Sequence, residues 1–445
     1  MNTARISRRA ALGVGTVAVA APLVVDSAAL GLGEAPPSER LRIGLIGCGG
    51  MGRANLTNCA KGADVEVAAL CDVWQGRLDD TAKQYPKAEK FHDYRKLLER
   101  KDIDGVIIAT PPHWHCRQAV DACEAGKDIY LQKPMTLHLG ESLAVRNAVR
   151  RHKRISQVGT QIHASENYRR VVELVRSGQL GPIGCVRTFN VQNQGIEGLG
   201  RELAPKVPPD LDWELWIGPA PMRPYCTNLA LSSFHHGSFF AYSGGWTPGM
   251  APHIIDLPVW ALELGYPTMV ACSGGRYIIN DEGDVPDVQE ILWQYPKLTM
   301  TWSQSMVNSY GFDLHGEPQP RRRLGIYFHG VNGTMYCNYG MFKVIPEGSR
   351  MDGMEPPKPS IPPSPGHERQ WLDSIKSRVE PDCCVDYHVR VDIPLVLGNL
   401  SYVLGRSIRF DPATERIVGD DEAARRSVPE YRAPWKFPTE YLKPV

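Results

Sequence analysis

The 445-residue chain has no excess of either charge: 50 Lys plus Arg stand against 49 Asp plus Glu, a formal net charge of +1. That balance gives no electrostatic footprint for nucleic acid or for an anionic membrane surface. No self-similar period of about 20–50 residues and no long low-complexity tract occurs, which excludes solenoids and repeat arrays. The longest uncharged apolar stretch, Ala10 to Val25, has sixteen residues, short for a membrane span. No C-x-x-C pair and no zinc-finger spacing is found among the eleven cysteines. Such a count in an exported protein would ordinarily suggest disulfides. Here Cys48, Cys71, Cys116 and Cys123 fall inside a strand–helix pattern that needs no staples, and Cys383-Cys384 are adjacent. Most are therefore read as buried small hydrophobes. Proline (36) and glycine (42) are plentiful, which implies many loops on a globular frame, and the length suits two domains.

Residues 1–33 read as an export signal rather than as fold. Arg5, Arg8 and Arg9 precede the apolar stretch, and Ser27-Ala28-Ala29 follows it as a small-x-small cleavage site. Ser7-Arg8-Arg9 with Ala-Ala-Leu behind it resembles a twin-arginine signal, which carries proteins across already folded, with cofactor loaded. Twin-arginine export machinery and a periplasmic or otherwise exported location are thus expected, with no stable membrane span after cleavage.

The chain is organised around Arg42 to Asp72. A short β-branched run, Ile43 to Ile46, reads as a buried strand. Gly47, Gly49 and Gly52 follow in G-x-G-x-x-G spacing, with helical composition after them. A second apolar run, Val65 to Leu70, ends at Asp72, twenty residues past Gly52. Gly47 permits the tight turn, Gly49 lets the backbone approach a pyrophosphate, and Gly52 lets helix and strand pack closely. With Gly50 and Met51 they make a candidate phosphate loop at a helix N-terminus. Asp72 is placed to accept from the adenosine ribose hydroxyls, which favours NAD over NADP.

Further strands are predicted at Val106–Ala109 and Asp128–Leu131, with a helix over 116–125 between them. Such alternation calls for a doubly wound parallel sheet. Later, Tyr168 to Ser177 has helical spacing. Strands are predicted at 183–191, 268–274, 288–295, 298–303 and 324–329, with a hairpin tip at Asn332-Gly333. Residues 346–366 read as an irregular loop, 367–376 and 393–407 as helices, and the tail from Asp411 as a surface wrap.

The set GLIGCGGMG, CD, ATPPHWH and GKDIYLQKP, extended by GTQ (159–161), YRRVVELVRSGQLGPI (168–183), DWELWIGPAP (212–221) and HIIDLPVWAL (253–262), resembles the glucose–fructose oxidoreductase/inositol dehydrogenase (Gfo/Idh/MocA) family. The resemblance implies an α/β architecture. A Rossmann dinucleotide-binding domain (40–160) would precede a C-terminal α/β domain (161–445) with an open, mainly antiparallel sheet that often makes homo-oligomer contacts. It further implies a tightly bound NAD and a carbohydrate or polyol substrate.

Hydride exchange with a carbinol needs a base for the hydroxyl proton and a group to polarise the developing carbonyl. The resemblance assigns these roles to Lys133, at the family's E-K-P lysine, and His253, at its acid/base histidine. The glutamate before the lysine is replaced by Gln132, and the aspartate four residues before the histidine by Gly249. Lys133 is then expected to be tuned differently. Thr110, Pro111, His113, His115 and Gln161 are expected beside the cofactor, and Tyr168, Trp246, His253 and Asp256 around the substrate. Trp216 and Tyr242 are further candidates for stacking on a sugar ring. His235-His236 lack a spaced carboxylate or cysteine partner, so no metal site is expected. Asp281, Asp284 and Asp287 read as a solvated turn. Two rival functions stay open: an NAD-dependent glycosidase or lyase working through transient C3 oxidation, and a sugar-binding protein without chemistry.

Overall fold

The computed structural model describes residues 40–310 and 323–443; the export-type segment 1–33 lies outside them. β1 (Leu41–Ile46), β2 (Val65–Cys71), β3 (Glu89–Phe91), β4 (Gly105–Ile108), β5 (Asp128–Leu131) and β6 (Ser156–Val158) form an all-parallel sheet in the order β3-β2-β1-β4-β5-β6. The central strands are buried on both faces, which is why they read as unbroken apolar runs. Their alternate residues feed two separate cores. Ile43, Leu45, Ile107 and Tyr130 pack on one side, and Ile46, Val106, Ile108 and Leu131 on the other. The first of these sides is completed by the helix His367–Ser377, whose Trp371 is fully buried there. A segment more than 200 residues distant in sequence thus closes the nucleotide-binding layer.

The second sheet contains β7 (Ile183–Val191), β8 (Met269–Gly275), β9 (Val288–Gln294), β10 (Thr299–Ser305), β11 (Arg323–Gly330), β12 (Gly333–Cys337), β13 (Phe342–Pro346), β14 (Ile408–Asp411) and β15 (Arg416–Ile417), in the order β13-β12-β11-β7-β10-β9-β8-β14-β15. Only the β7–β10 pair is parallel; the rest of the ladder is antiparallel. Along β9, buried Gln289, Ile291 and Trp293 alternate with exposed Glu290, Leu292 and Gln294, so one face is covered and the other open. The helices Pro252–Ala261 and Val385–Leu404 cover it, with Glu166–Arg176 packed on the former. The open face carries Tyr327 stacked on Phe189 and His329.

Three readings need correction. The long helix starts at Val385, not near 393, and carries Pro394 in its interior. Tertiary packing overrides the N–H that Pro394 lacks, and Trp293 Nε1 donates to the Pro394 carbonyl at 2.8 Å. Asp281 and Asp287 are buried rather than solvated. Asp287 accepts from the main-chain N–H groups of Tyr277, Ile278 and Ile279, and Asp281 from those of Leu199 and Gly283. The tail from Asp411 does more than wrap: β15 pairs with β14 at the edge of the second sheet, and the chain then returns to the first domain, where Trp435 meets Trp114 edge-on at 4.7 Å.

Residues 192–250 hold five helices of four or five residues, Trp213–Ile217, Thr227–Leu231, Ser233–His236, Phe240–Ser243 and Trp246–Met250. Three of them, Trp213–Ile217, Thr227–Leu231 and Phe240–Ser243, gather on a small core around Trp216, Leu229, Phe239 and Tyr242, against which Val73 and Trp74 of the first domain also pack, while Trp246 packs with Ile279, Val285 and Met306. This segment roofs the carboxyl ends of β1, β2, β4 and β5.

Candidate active site

A cleft of about 550 Å³ lies at those strand ends, where open α/β sheets place ligands. Its floor is the turn after β1. Gly47 holds φ of +97°, and a Cβ there would come 2.7 Å from the Ala109 backbone. A Cβ on Gly52 would come 2.0 Å from the Gly47 carbonyl oxygen, because helix and turn touch at that point. Gly49 and Gly50 differ: a Cβ on either meets nothing within 4 Å. They face open cleft at the start of the helix Gly50–Cys59, whose first turn has no side-chain cap and no acidic residue. The N–H groups of an uncapped helix start, its positive dipole end and an open cradle suit a pyrophosphate.

Asp72 stands at the end of β2. Its two oxygens accept from Cys48 N at 2.7 Å and Trp74 N at 2.8 Å, which fixes the carboxylate toward the cleft. Burial pushes its carboxyl above the ordinary range, against the pull of those two donors. Arg77, four positions from Val73, lines the same end, but its guanidinium is committed to the carbonyls of Ala230 (2.8 Å) and Leu231 (2.9 Å) and lies over the Trp74 ring. These residues fit an adenosine with a free 2′-hydroxyl.

At the other end, the turn Gln132–Pro134 after β5 delivers Lys133, whose Nζ donates to the Gly249 carbonyl at 3.0 Å. Thr110 and Pro111, after β4, and Trp246, from the roof, line the same region. Thr110 Oγ1 donates to Gln118 at 2.7 Å. His236, read earlier only as part of an implausible metal pair, also lines the cleft. Burial, with the Lys133 ammonium among the nearby charges, pulls its pKa down to about 3. His253 lies one helical turn beyond Gly249, outside the lining. Its Nδ1 is 3.0 Å from the Thr160 carbonyl oxygen. A carbonyl can only accept, so in the neutral ring Nδ1 carries the proton and Nε2 the lone pair. Burial and then the Lys133 charge lower its pKa to about 3. Both imidazoles are neutral at pH 7.

Other expected site residues stand behind the walls. His115 Nδ1 faces the Pro134 carbonyl at 2.7 Å and Nε2 that of Thr110 at 2.9 Å, so the ring braces the two strand-end turns. His113 bridges the carbonyls of Trp216 and Tyr242 and lines a second cavity of about 490 Å³ on the far side. Tyr242 donates to Pro221 at 2.6 Å, while Trp216 does line the cleft. Gln161, with φ of +63°, is outside the lining. Tyr168 is fully buried against Tyr339 at 5.8 Å, and Asp256 is fully buried beneath His253. Gln132 turns away from Lys133 Nζ: its Nε2 donates to Asn55 Oδ1 at 2.7 Å, and only its Oε1 reaches Lys133, at the main-chain N–H. All eleven cysteines are unpaired, nine of them buried.

Residues 41–160 match a family model described as an oxidoreductase family, NAD-binding Rossmann fold, and residues 169–437 its C-terminal alpha/beta domain. The chain is 28% identical over 144 residues to YrbE of Bacillus subtilis, an uncharacterized oxidoreductase, covering 32% of this chain and 42% of that protein. It is 28% identical over 187 residues to a glycosyl hydrolase family 109 protein of Shewanella sp. (strain ANA-3), covering 40% of each. The chain thus spans about two fifths of the length of these curated relatives. Among solved structures, the Bordetella pertussis WlbA dehydrogenase with NADH and UDP-GlcNAcA superposes with a TM-score of 0.62 at 18% identity, over 84% of this chain and 99% of that one. GenD2 from gentamicin A biosynthesis, with NAD, gives 0.61 at 18% identity, over 85% and 98%. The glycine cradle, the aspartate at the end of β2 and the strand-end lysine occur in a chain matched along nearly its whole folded length, and the chain belongs to the Gfo/Idh/MocA oxidoreductase family, with its NAD-binding Rossmann domain in front of the family's C-terminal α/β domain.

Proposed function

We propose that the chain is an exported oxidoreductase that holds NAD tightly and exchanges hydride with a ring carbinol of a carbohydrate or polyol. The observation that carries this reading is the placement of Lys133 Nζ and the wall residue Trp246 at one end of a cleft whose other end is the glycine cradle and Asp72. A nicotinamide in that cleft supplies the hydride acceptor or donor. Lys133 binds the reacting hydroxyl oxygen and stabilises charge as it develops there. His253, which burial and then the nearby Lys133 ammonium keep neutral, stands one helical turn behind the lining at Gly249, with Nε2 as the acceptor assigned to the carbinol proton. Trp246 and Phe234, edge-on at 4.9 Å, offer an aromatic wall for the apolar face of a sugar.

Retention of the cofactor follows from the roof. The segment 192–250 is tied to the first domain through Arg77 and through Gln75 N, which donates to the Asp210 carbonyl at 2.9 Å. A dinucleotide entering from the adenosine side would have to part these contacts. Eleven unpaired cysteines and the Ser7-Arg8-Arg9 segment are consistent with folding before export through a twin-arginine route. The open face of the second sheet, with Leu292 and Tyr327 on it, is the surface for a homo-oligomer contact.

A second reading is redox-neutral glycoside cleavage. Its support is the similarity to a glycosyl hydrolase family 109 protein over 187 residues. The test is to express the full chain, denature the exported protein and identify any released nucleotide by mass and absorbance. Sugars are then screened against the native protein. Stoichiometric NAD(H) with a bleached or reduced nicotinamide supports the first reading. Glycoside cleavage without a change in redox state supports the second. A protein empty of nucleotide that also fails to bind added NAD refutes both.

A further inference from the structure

One turn along the helix from His253, Asp256 is fully buried and faces two groups that the proposed reaction does not use, His163 and Cys383. The three come from separate elements. His163 sits in the turn Ile162–Ala164 after β6, Asp256 on the helix Pro252–Ala261, and Cys383 just ahead of the helix Val385–Leu404. A ring nitrogen of His163, a carboxylate oxygen of Asp256 and the Cys383 sulfur all lie within 4.8 Å of one another. His163 Nε2 is 3.2 Å from Asp256 Oδ1 and 3.3 Å from the Tyr387 hydroxyl, which itself donates to Asp256 Oδ1. The ring of Trp260 stacks on His163 at 4.0 Å and closes the group on that side.

Hydrogen bonds do not complete this cluster. Asp256 Oδ2 and His163 Nδ1 are buried with no hydrogen-bond partner among the described residues. The same holds for both ring nitrogens of the neighbouring His388. Buried polar atoms are rarely left so, and several together in one place call for a bound water or ion. The donors on offer are a nitrogen, an oxygen and a sulfur. Magnesium and calcium take oxygen ligands alone, whereas zinc accepts all three kinds.

We propose that His163, Asp256 and Cys383 bind a zinc ion, with the Tyr387 hydroxyl placed to take the fourth position. Bonds of about 2.0–2.3 Å set tetrahedral ligand atoms roughly 3.3–3.8 Å apart. The three donor atoms, all within 4.8 Å of one another, need to close by about 1 Å to reach that spacing. Every donor is buried, so the site is closed and structural rather than open to substrate. Binding replaces the thiol proton of Cys383 and the proton of the His163–Asp256 ion pair, both of which leave to solvent, so affinity falls as the pH is lowered. The ion would pin the helix that carries His253 to the end of β6 and to the long helix, fixing the depth at which His253 stands.

The experiment uses the full-length protein purified without chelator. About one zinc per chain is expected by elemental mass spectrometry. After stripping and reloading with cobalt(II), a thiolate-to-cobalt charge-transfer band is expected in the near ultraviolet. Cys383→Ser should abolish that band and lower zinc affinity at least tenfold, with an unchanged circular dichroism spectrum. If this variant does not fold, the wild-type cobalt spectrum decides alone. Wild-type protein that keeps no zinc against a weak chelator, or that binds cobalt without a thiolate band, overturns the proposal and leaves the cluster as a buried His163–Asp256 ion pair.

Discussion

Lys133 Nζ donates to the main-chain oxygen of Gly249 at 3.0 Å, in the place where the family resemblance puts an aspartate side chain. A Cβ at 249 would meet nothing within 4 Å, so the position is empty rather than filled by a neighbour. The lysine has lost a carboxylate but kept an oxygen. Gly249→Asp should therefore fold with a stability change of about 1 kcal/mol or less, the glycine-to-other difference in a short helix. With a carboxylate beside Lys133, the low-pH limb of kcat/KM should shift. An unchanged pH profile would mean that the substituted side chain does not reach the lysine. Lys133→Met is the complement. It should cost roughly 10²–10⁴-fold in kcat/KM while the released nucleotide stays stoichiometric.

Gln132 has a structural role. It donates to Asn55, and Asn55 Nδ2 donates in turn to Glu368 at 2.8 Å, so three buried groups from distant parts of the chain satisfy one another. Gln132→Glu puts an acceptor against Asn55 Oδ1. Rotating the Asn55 amide repairs that contact only by turning its oxygen toward the Glu368 carboxylate. The expected loss is about 1–3 kcal/mol, read as a lower denaturant midpoint with the same slope. No gain in activity is expected, even though the change restores the family's usual residue.

What the sequence made legible was local. β1, β2, β4 and β5 were readable because parallel strands buried on both faces are continuous apolar runs, and the glycine spacing has one geometric meaning between a strand and a helix. β7 was readable to the residue, its β-branched and aromatic run lying between the turn at Gly181-Pro182 and the polar Gln192. The roof at 192–250 had no such signal. Its helices of four or five residues are too short for periodicity and are held by tertiary packing against Val73 and Trp74. His236 was missed for that reason, since nothing local says that this turn closes over the cleft. The helix Leu139–His152 went unassigned because it is buried nearly all round, which removes the amphipathic stripe. The grouping of Cys383 with His163 and Asp256 is long-range, and no spacing rule encodes it.

Acid should destabilise the protein earlier than its balanced charge suggests. Burial holds His113 at about 4, and His236 and His253 at about 3, all below the ordinary histidine range. The unfolded chain takes up these protons near pH 6.5, so it binds more protons than the fold does between there and about pH 4. The stability these rings contribute is fully present above about pH 6.5 and is lost as the pH falls. For His113, 4% exposed, the loss by about pH 4 is on the order of 2–3 kcal/mol. Urea midpoints at about pH 7.5 and about pH 4.5 measure it. His113→Gln should flatten the difference, and an equal slope in that variant would show that other groups dominate.

Gly49 and Gly52 sit three residues apart in one motif and should fail in opposite ways. At Gly52 an added Cβ would stand 2.0 Å from the Gly47 carbonyl oxygen, backbone against backbone, so Gly52→Ala must push helix and turn apart. A loss of several kcal/mol, on the order of the largest core defects, or outright failure to fold is expected. At Gly49 the same methyl meets nothing within 4 Å, and the backbone there, with φ of −71°, suits any residue. Gly49→Ala should keep the denaturant midpoint within about 0.5 kcal/mol of wild type. The methyl instead fills the cradle into which a pyrophosphate must descend. The purified variant should therefore carry little nucleotide and bind added NAD at least tenfold more weakly. If Gly49→Ala kept full cofactor content, the phosphates would have to lie elsewhere in the cleft. If it unfolded, the open space in front of Gly49 would be occupied by the protein itself.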